Sequence, residues 1–134
     1  MNFKIYPITL AILLIIDSIW LTLIAKDLYA HALGEFMATD INWIAALLFY
    51  VLFSLGIVRF VIQPALQQKS GLKCLQLGLL FGLICYSTYD LTNLATIKNW
   101  PLSITIIDLT WGSCVTAMTA LISYNISKKF FVKK

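Results

Sequence analysis

Three aspartates are conspicuous for their surroundings: Asp17 in "IIDSIWL", Asp90 in "YDLTNLAT" and Asp108 in "DLTWG" each interrupt a run of lipid-soluble residues. Each has a companion one helical turn along, Trp20, Asn93 and Trp111, so each pair faces the same way on a helix. Tyr86 and Tyr89 lie just before Asp90. Brought together, such groups support two chemistries. Carboxylates with indole and phenol rings bind a small cation or ammonium through charge and ring faces. A carboxylate beside a protonated neighbour serves as base and acid toward a bound substrate.

The elements that carry these residues are membrane helices. The chain has 134 residues, 60% hydrophobic and 12% charged, with a mean hydropathy of +0.88, and soluble domains carry about twice that charge. A span needs about 20 largely apolar residues, and four stretches supply them: 5–25, 43–63, 72–97 and 101–124. The expected fold is an all-α membrane protein, a single transmembrane domain over residues 1–134 with four helices in an antiparallel bundle. Lys4 before the first apolar run and Ala30–His31–Ala32 after it resemble a signal peptide with its cleavage site. Asp17 inside the run argues for a first transmembrane helix instead.

Lys4, Arg59, Lys69, Lys73, Lys128, Lys129, Lys133 and Lys134 fall on one side of this layout, and Lys26 and Lys98 on the other. By the excess of Lys and Arg on the cytoplasmic side, both termini are cytoplasmic. The net charge of +4 is therefore a topology signal, and the basic tail suits anionic lipid heads rather than nucleic acid. Pro64 is expected to end the second helix, and Asn99 with Pro101 to form a tight turn into the fourth. Trp43 and Trp100 are expected at the outer interface. In the first outer loop, Leu28, Tyr29, Ala32, Leu33, Phe36 and Met37 recur at helical spacing, which predicts a short amphipathic helix near residues 28–38 that covers whatever opens beneath it.

That helix aligns Asp27, His31 and Glu35, a spacing compatible with a divalent metal but ordinary for a solvated face, and no metal is assigned. Cys74, Cys85 and Cys114 form no C-x-x-C pair and read as small buried thiols. Phosphate loops, nucleophile elbows and zinc-helix motifs are missing from the sequence, so catalytic residues and cofactors stay unassigned.

The aspartates share one depth, about 10 to 12 Å below the outer helix ends at 1.5 Å per residue. An ionisable residue near a helix centre costs about 2.5 to 3.5 kcal/mol on insertion scales, and three at one depth exceed what helix packing needs. No basic residue shares their layer, since Lys26 and Lys98 are about 12 Å higher along the axis. Three adjacent carboxylates cannot all stay ionised in low dielectric, so protons, a bound cation or bridging water must balance them. Below Gly112 the fourth helix continues with Thr116, Thr119 and Ser123, a small polar face suited to packing, as is the Gly78-x-x-x-Gly82 pair.

"IDSIWL", "YDLTNLATIKNWP" and "DLTWG" resemble the signatures of a bacterial family of small four-helix membrane proteins, domain of unknown function 2177. The resemblance covers essentially the whole chain. It implies a shared site at Asp17, Trp20, Tyr89, Asp90, Asn93, Asp108, Trp111 and Gly112, location in the bacterial inner membrane, and no particular activity.

The residues leave three functions open. The first is a binding protein whose acidic and aromatic pocket, formed by Asp17, Trp20, Tyr86, Tyr89, Asp90, Asn93, Asp108 and Trp111, holds a small cation, an amine or a lipid headgroup. The second is a proton- or cation-coupled transporter, and the third a lipid-modifying enzyme using paired aspartates. Membrane lipids and a small cationic or lipid ligand are the expected partners, and homo-oligomerisation is left open by the residues. A reporter fused to the C-terminus and active only after export is expected to stay silent; activity would reverse the topology.

Overall fold

The computed structural model describes residues 3–131; Lys133 and Lys134 of the basic tail lie outside them. The protein is an all-α membrane protein. Its first spanning helix, α1 (Ile5–Ile24), leads into a short helix, α2 (Lys26–Leu33), and a 3-10 turn (Gly34–Phe36). Three more spanning helices follow: α3 (Trp43–Gln67), α4 (Gly71–Thr96) and α5 (Leu102–Phe130). Asn42 caps α3 by accepting from the Ala45 N–H at 3.1 Å, and Ser70 caps α4 by accepting from the Lys73 N–H at 3.1 Å. The chain reverses between α3 and α4 and again between α4 and α5. Each reversal holds one residue in the left-handed region, Lys69 (φ 51) and Asn99 (φ 63).

Packing follows steps of four residues. On α1 the buried line is Ile5, Thr9, Leu13 and Asp17. On α4 it is Cys74, Gly78, Gly82 and Asp90, with Tyr86 half-buried between the last two. On α5 it runs Ile104, Asp108, Gly112, Thr116, Ala120 and Tyr124. Such lines are the ridges by which helices interlock, and each carries its aspartate at or near the end closest to α2. The α4–α5 contact is the most extensive of the bundle. It depends on small residues, because a Cβ on Gly78 would lie 2.8 Å from the Ala117 Cα and one on Gly82 would run into the Gly112 backbone. The polar face of α5 below Gly112 is buried there, as its composition predicts.

Two spanning helices contain a π turn, at Trp20–Ile24 in α1 and Ile57–Ile62 in α3. The second corrects the expected stop at Pro64. Proline has no N–H to donate and its ring crowds the carbonyl four residues back. In α3 the widened turn lets the Gln63 N–H reach the Val58 carbonyl, and Pro64 then enters as an early residue of a fresh α segment. The helix therefore runs on to Gln67.

The same turn divides α3 functionally. Its first half lies against α1, whereas its close backbone approach to α4 and α5 is made from the π turn onward. Phe53 marks the transition: it stacks on Phe81 with centroids 5.9 Å apart and tilts against Tyr86 at 6.0 Å. Between Phe53 and the α2 end, α3 and α4 make no comparable backbone approach. The cysteines also divide, since Cys74 is buried, Cys85 is half-buried, and Cys114 is exposed rather than buried as expected. Cys114 is displaced from the core because it falls between the buried ridge positions of α5.

Candidate functional site

The three aspartates end up in one layer, six or seven residues in from the helix ends at Ile24, Thr96 and Leu102. Their exposures are 5% for Asp17, 0% for Asp90 and 8% for Asp108. All three line a cavity of about 510 Å³, with Trp20, Tyr29, Phe49, Cys85, Tyr86, Tyr89 and Trp111 among the other walls. Of the eight residues proposed from the sequence, seven line it. Asn93 does not; one turn nearer the end of α4 than Asp90, its side chain reaches the Tyr89 phenol. The helical step that faced Asn93 the same way as Asp90 carried it past the cavity toward the turn.

The carboxyls differ in what they are given. Asp17 accepts from the Tyr50 hydroxyl at 2.6 Å and from the Trp111 indole N–H at 2.9 Å, one donor to each oxygen. Asp108 accepts from the Tyr29 hydroxyl, which in turn accepts from the Trp20 indole N–H at 3.4 Å. The two indoles stack, with centroids 4.3 Å apart and planes 9° from parallel, so the two donor chains brace each other. Asp90 is left out. No hydroxyl or N–H donor among the described residues reaches either of its oxygens, and the Asp108 carboxyl beside it is close enough to share a hydrogen bond with it. Two acceptors face each other there, so a proton, a cation or a donor-bearing ligand must stand between them.

Local structure explains these placements. The π turn begins at Trp20, and the Ala25 N–H bonds back to the Trp20 carbonyl at 2.8 Å. Trp20 itself keeps the register of the helix before it, its N–H on the Ile16 carbonyl, so the extra residue re-phases the chain that follows, at Ala25 and the start of α2. Gly112 lacks a side chain where the Tyr86 ring rests, and a Cβ there would overlap the ring. Tyr86 thereby lies flat in the wall beneath Asp90.

Helix α2 covers the cavity from the end of the bundle. It is held by Tyr29 on Asp108 and, through the following turn, by Phe36 against Trp100 with centroids 6.1 Å apart. Trp100 in turn meets Tyr89 edge-on at 5.9 Å and donates its indole N–H to the Thr105 hydroxyl at 3.1 Å. Trp100, between the spans that end at Thr96 and begin at Leu102, is 7% exposed and serves as an anchor for the cover. Trp43 is 72% exposed at the start of α3. Asp27, His31 and Glu35 stay on the exposed side of α2 and the turn after it. Among the described residues no three His, Cys, Asp or Glu side chains are grouped to hold a metal.

Sequence reasoning missed Tyr29 and Tyr50 as site residues. Tyr50 had a signal: it is a phenol within the apolar run of α3, and a hydroxyl at bilayer depth needs a partner. Tyr29 had been counted as part of the apolar face of the covering helix, where its ring does belong.

The model of a family described as predicted membrane proteins, DUF2177, matches residues 2–125. The chain belongs to that family. No curated protein and no solved structure matches it. In this DUF2177 protein three of the four spanning helices place Asp17, Trp20, Asp90, Asp108 and Trp111 around one cavity.

Burial first, and then the hydrogen bond to Asp108, push the Tyr29 phenol well above its ordinary value of 10.0. A raised phenol favours the folded cover below the ordinary value, and that contribution is lost as pH climbs from about 10 through the folded value. At roughly pH 11, where exposed tyrosines ionise, the wild-type protein and Tyr29→Phe should show the same phenolate absorbance. Greater absorbance in the wild type would mean that Tyr29 titrates like a surface tyrosine and does not dock the cover.

Proposed function

We propose that this protein binds a small ammonium or other cation in the cavity beneath α2, with Asp90 as the receiving group. One observation carries the reading: Asp90 is wholly buried on the cavity wall with no donor at either oxygen, while Asp17 has a donor on each of its oxygens. A buried carboxylate without donors is costly, and an ammonium supplies both the charge and the hydrogen bonds. Trp20, Tyr86 and Tyr89 add aromatic surface suited to a cation. The protein acts in the bacterial inner membrane with both termini cytoplasmic and the covered cavity toward the outside. The distribution of Lys and Arg supports that orientation.

A second reading, proton- or cation-coupled transport, is favoured by a different observation. Thr119, Ser123 and Ser127 continue along α5 toward the other end of the bundle, wholly buried and without hydrogen-bond partners among the described residues. Thr9, Thr110 and Thr116 instead turn back to the carbonyl four residues earlier. A buried line of unbonded hydroxyls below the acidic layer suits the passage of protons or small ions.

The test is thermal unfolding in detergent with ethylammonium chloride, against sodium chloride at equal ionic strength. Ligand at a hundred times its dissociation constant stabilises the folded state by about 2.7 kcal/mol. The wild type should gain stability from ethylammonium and Asp90→Asn should not, while Asp90→Asn itself stays folded because the amide keeps the carboxyl's shape. Equal gains in both proteins would remove Asp90 from the site. Ethylammonium uptake into vesicles driven by a pH gradient and abolished in Asp90→Asn would establish the second reading over simple binding.

A further inference from the structure

Resting on the reading of the cavity as an ammonium site, we infer that its ligand is a long-chain cationic amphiphile, a protonated alkylamine by class, that enters sideways from the bilayer. Its ammonium lies at Asp90, and its chain leaves between α3 and α4.

The cavity has a roof and a floor but an incomplete side. Above, α2 is fastened by Tyr29 to Asp108, and Phe36 leans on Trp100. Below, Phe53 closes onto Phe81 and Tyr86. Between these levels the α3 backbone lies against α1, with no comparable approach to α4. The rims of that gap are Phe49 on α3, 44% exposed, and Tyr89 on α4, 58% exposed, and both line the cavity.

Depth decides which solvent meets the gap. Phe49 is six residues into α3 and Tyr89 seven residues from the end of α4, which is about 9 to 11 Å along each axis and inside the apolar part of a bilayer about 30 Å thick. The outer surface of α3 beside it, with Leu48 and Leu52 exposed, is apolar. An entrance at this depth admits molecules already dissolved in the membrane.

The headgroup follows from the charges. The layer holds three carboxyls, and among the described residues no basic side chain lines the cavity. The phosphate of a zwitterionic phospholipid would therefore sit beside carboxyls with no cation to pair it, a like-charge arrangement that disfavours entry. A hydrogen-bonding ammonium suits Asp90 better than a quaternary one, because both Asp90 oxygens lack donors. The chain adds specificity by keeping the amine in the membrane, where its local concentration is high.

The experiment uses the full chain in phosphatidylcholine nanodiscs with a dodecylammonium probe carrying a diazirine near its chain end, followed by irradiation and mass spectrometric mapping. Labels are expected on the facing sides of α3 and α4 between Phe49 and Tyr89. Labelling should fall roughly tenfold to a hundredfold in Asp90→Asn, the loss expected for one charged hydrogen bond. Excess ethylammonium should suppress labelling in the wild type, which tests the headgroup site without a substitution. Labels confined to α2 and its flanking loops, with ethylammonium still competing, would overturn lateral entry and leave the ammonium site standing. Labelling that ignores both Asp90→Asn and ethylammonium would overturn the site as well. Suppression on changing the nanodisc lipid to phosphatidylethanolamine would show that a phospholipid headgroup is accepted and would overturn the restriction to purely cationic amphiphiles.

Discussion

A carboxyl group inside a bilayer must be given donors or a counter-charge, and the upper half of this protein is arranged around that requirement. Asp17 draws on Tyr50 from α3 and Trp111 from α5, so one side chain ties three of the four spanning helices together. Asp108 draws on Tyr29 and thereby fixes the cover. Hydrogen bonds to charged groups contribute about 1.5 to 3 kcal/mol each, and a buried carboxyl deprived of them costs at least as much. Two aspartates are thus structural as well as site residues. Asp90 is not served in this way, which is why the functional reading centres on it.

Bringing the three together depends on features with no chemistry of their own. Gly78 and Gly82 let α4 lie against α5 closely enough that Asp90 stands beside Asp108. Gly112 makes room for the Tyr86 ring. The π turn after Trp20 leads the chain into α2, while the Trp20 indole stacks on Trp111. The π turn in α3 lets the helix pass Pro64, and from that turn onward the helix backbone comes close to α4 while its upper half leans on α1. The lateral entry inferred for the cavity follows from how α3 divides its backbone contacts.

Much of this was legible in the residues because membrane solvation is a severe constraint. Four apolar runs could only be spanning helices, and aspartates within them could only face inward. Steps of three and four residues also placed Asp17, Trp20, Tyr86, Asp90, Asp108 and Trp111 on packed faces. What escaped reading was of two kinds. Donors such as Tyr29 and Tyr50 come from other elements, and their pairing with a particular carboxyl is a tertiary fact that spacing along one helix does not contain. The π turns and the continuation past Pro64 reflect a backbone adjustment of one residue, which leaves hydrophobic periodicity almost unchanged. Asn93 misses the cavity for a related reason: near a helix end, a turn's geometry decides which way a side chain points.

The central claim is that Asp90, and not Asp17, receives the ligand. Carbon NMR of the protein labelled at the aspartate side-chain carboxyl carbons, titrated with ethylammonium, addresses it residue by residue, with Asp→Asn variants supplying assignments. The account predicts a saturating shift at Asp90, a smaller one at its neighbour Asp108, and a fixed Asp17 resonance. A saturating shift at Asp17 with Asp90 unmoved would contradict it.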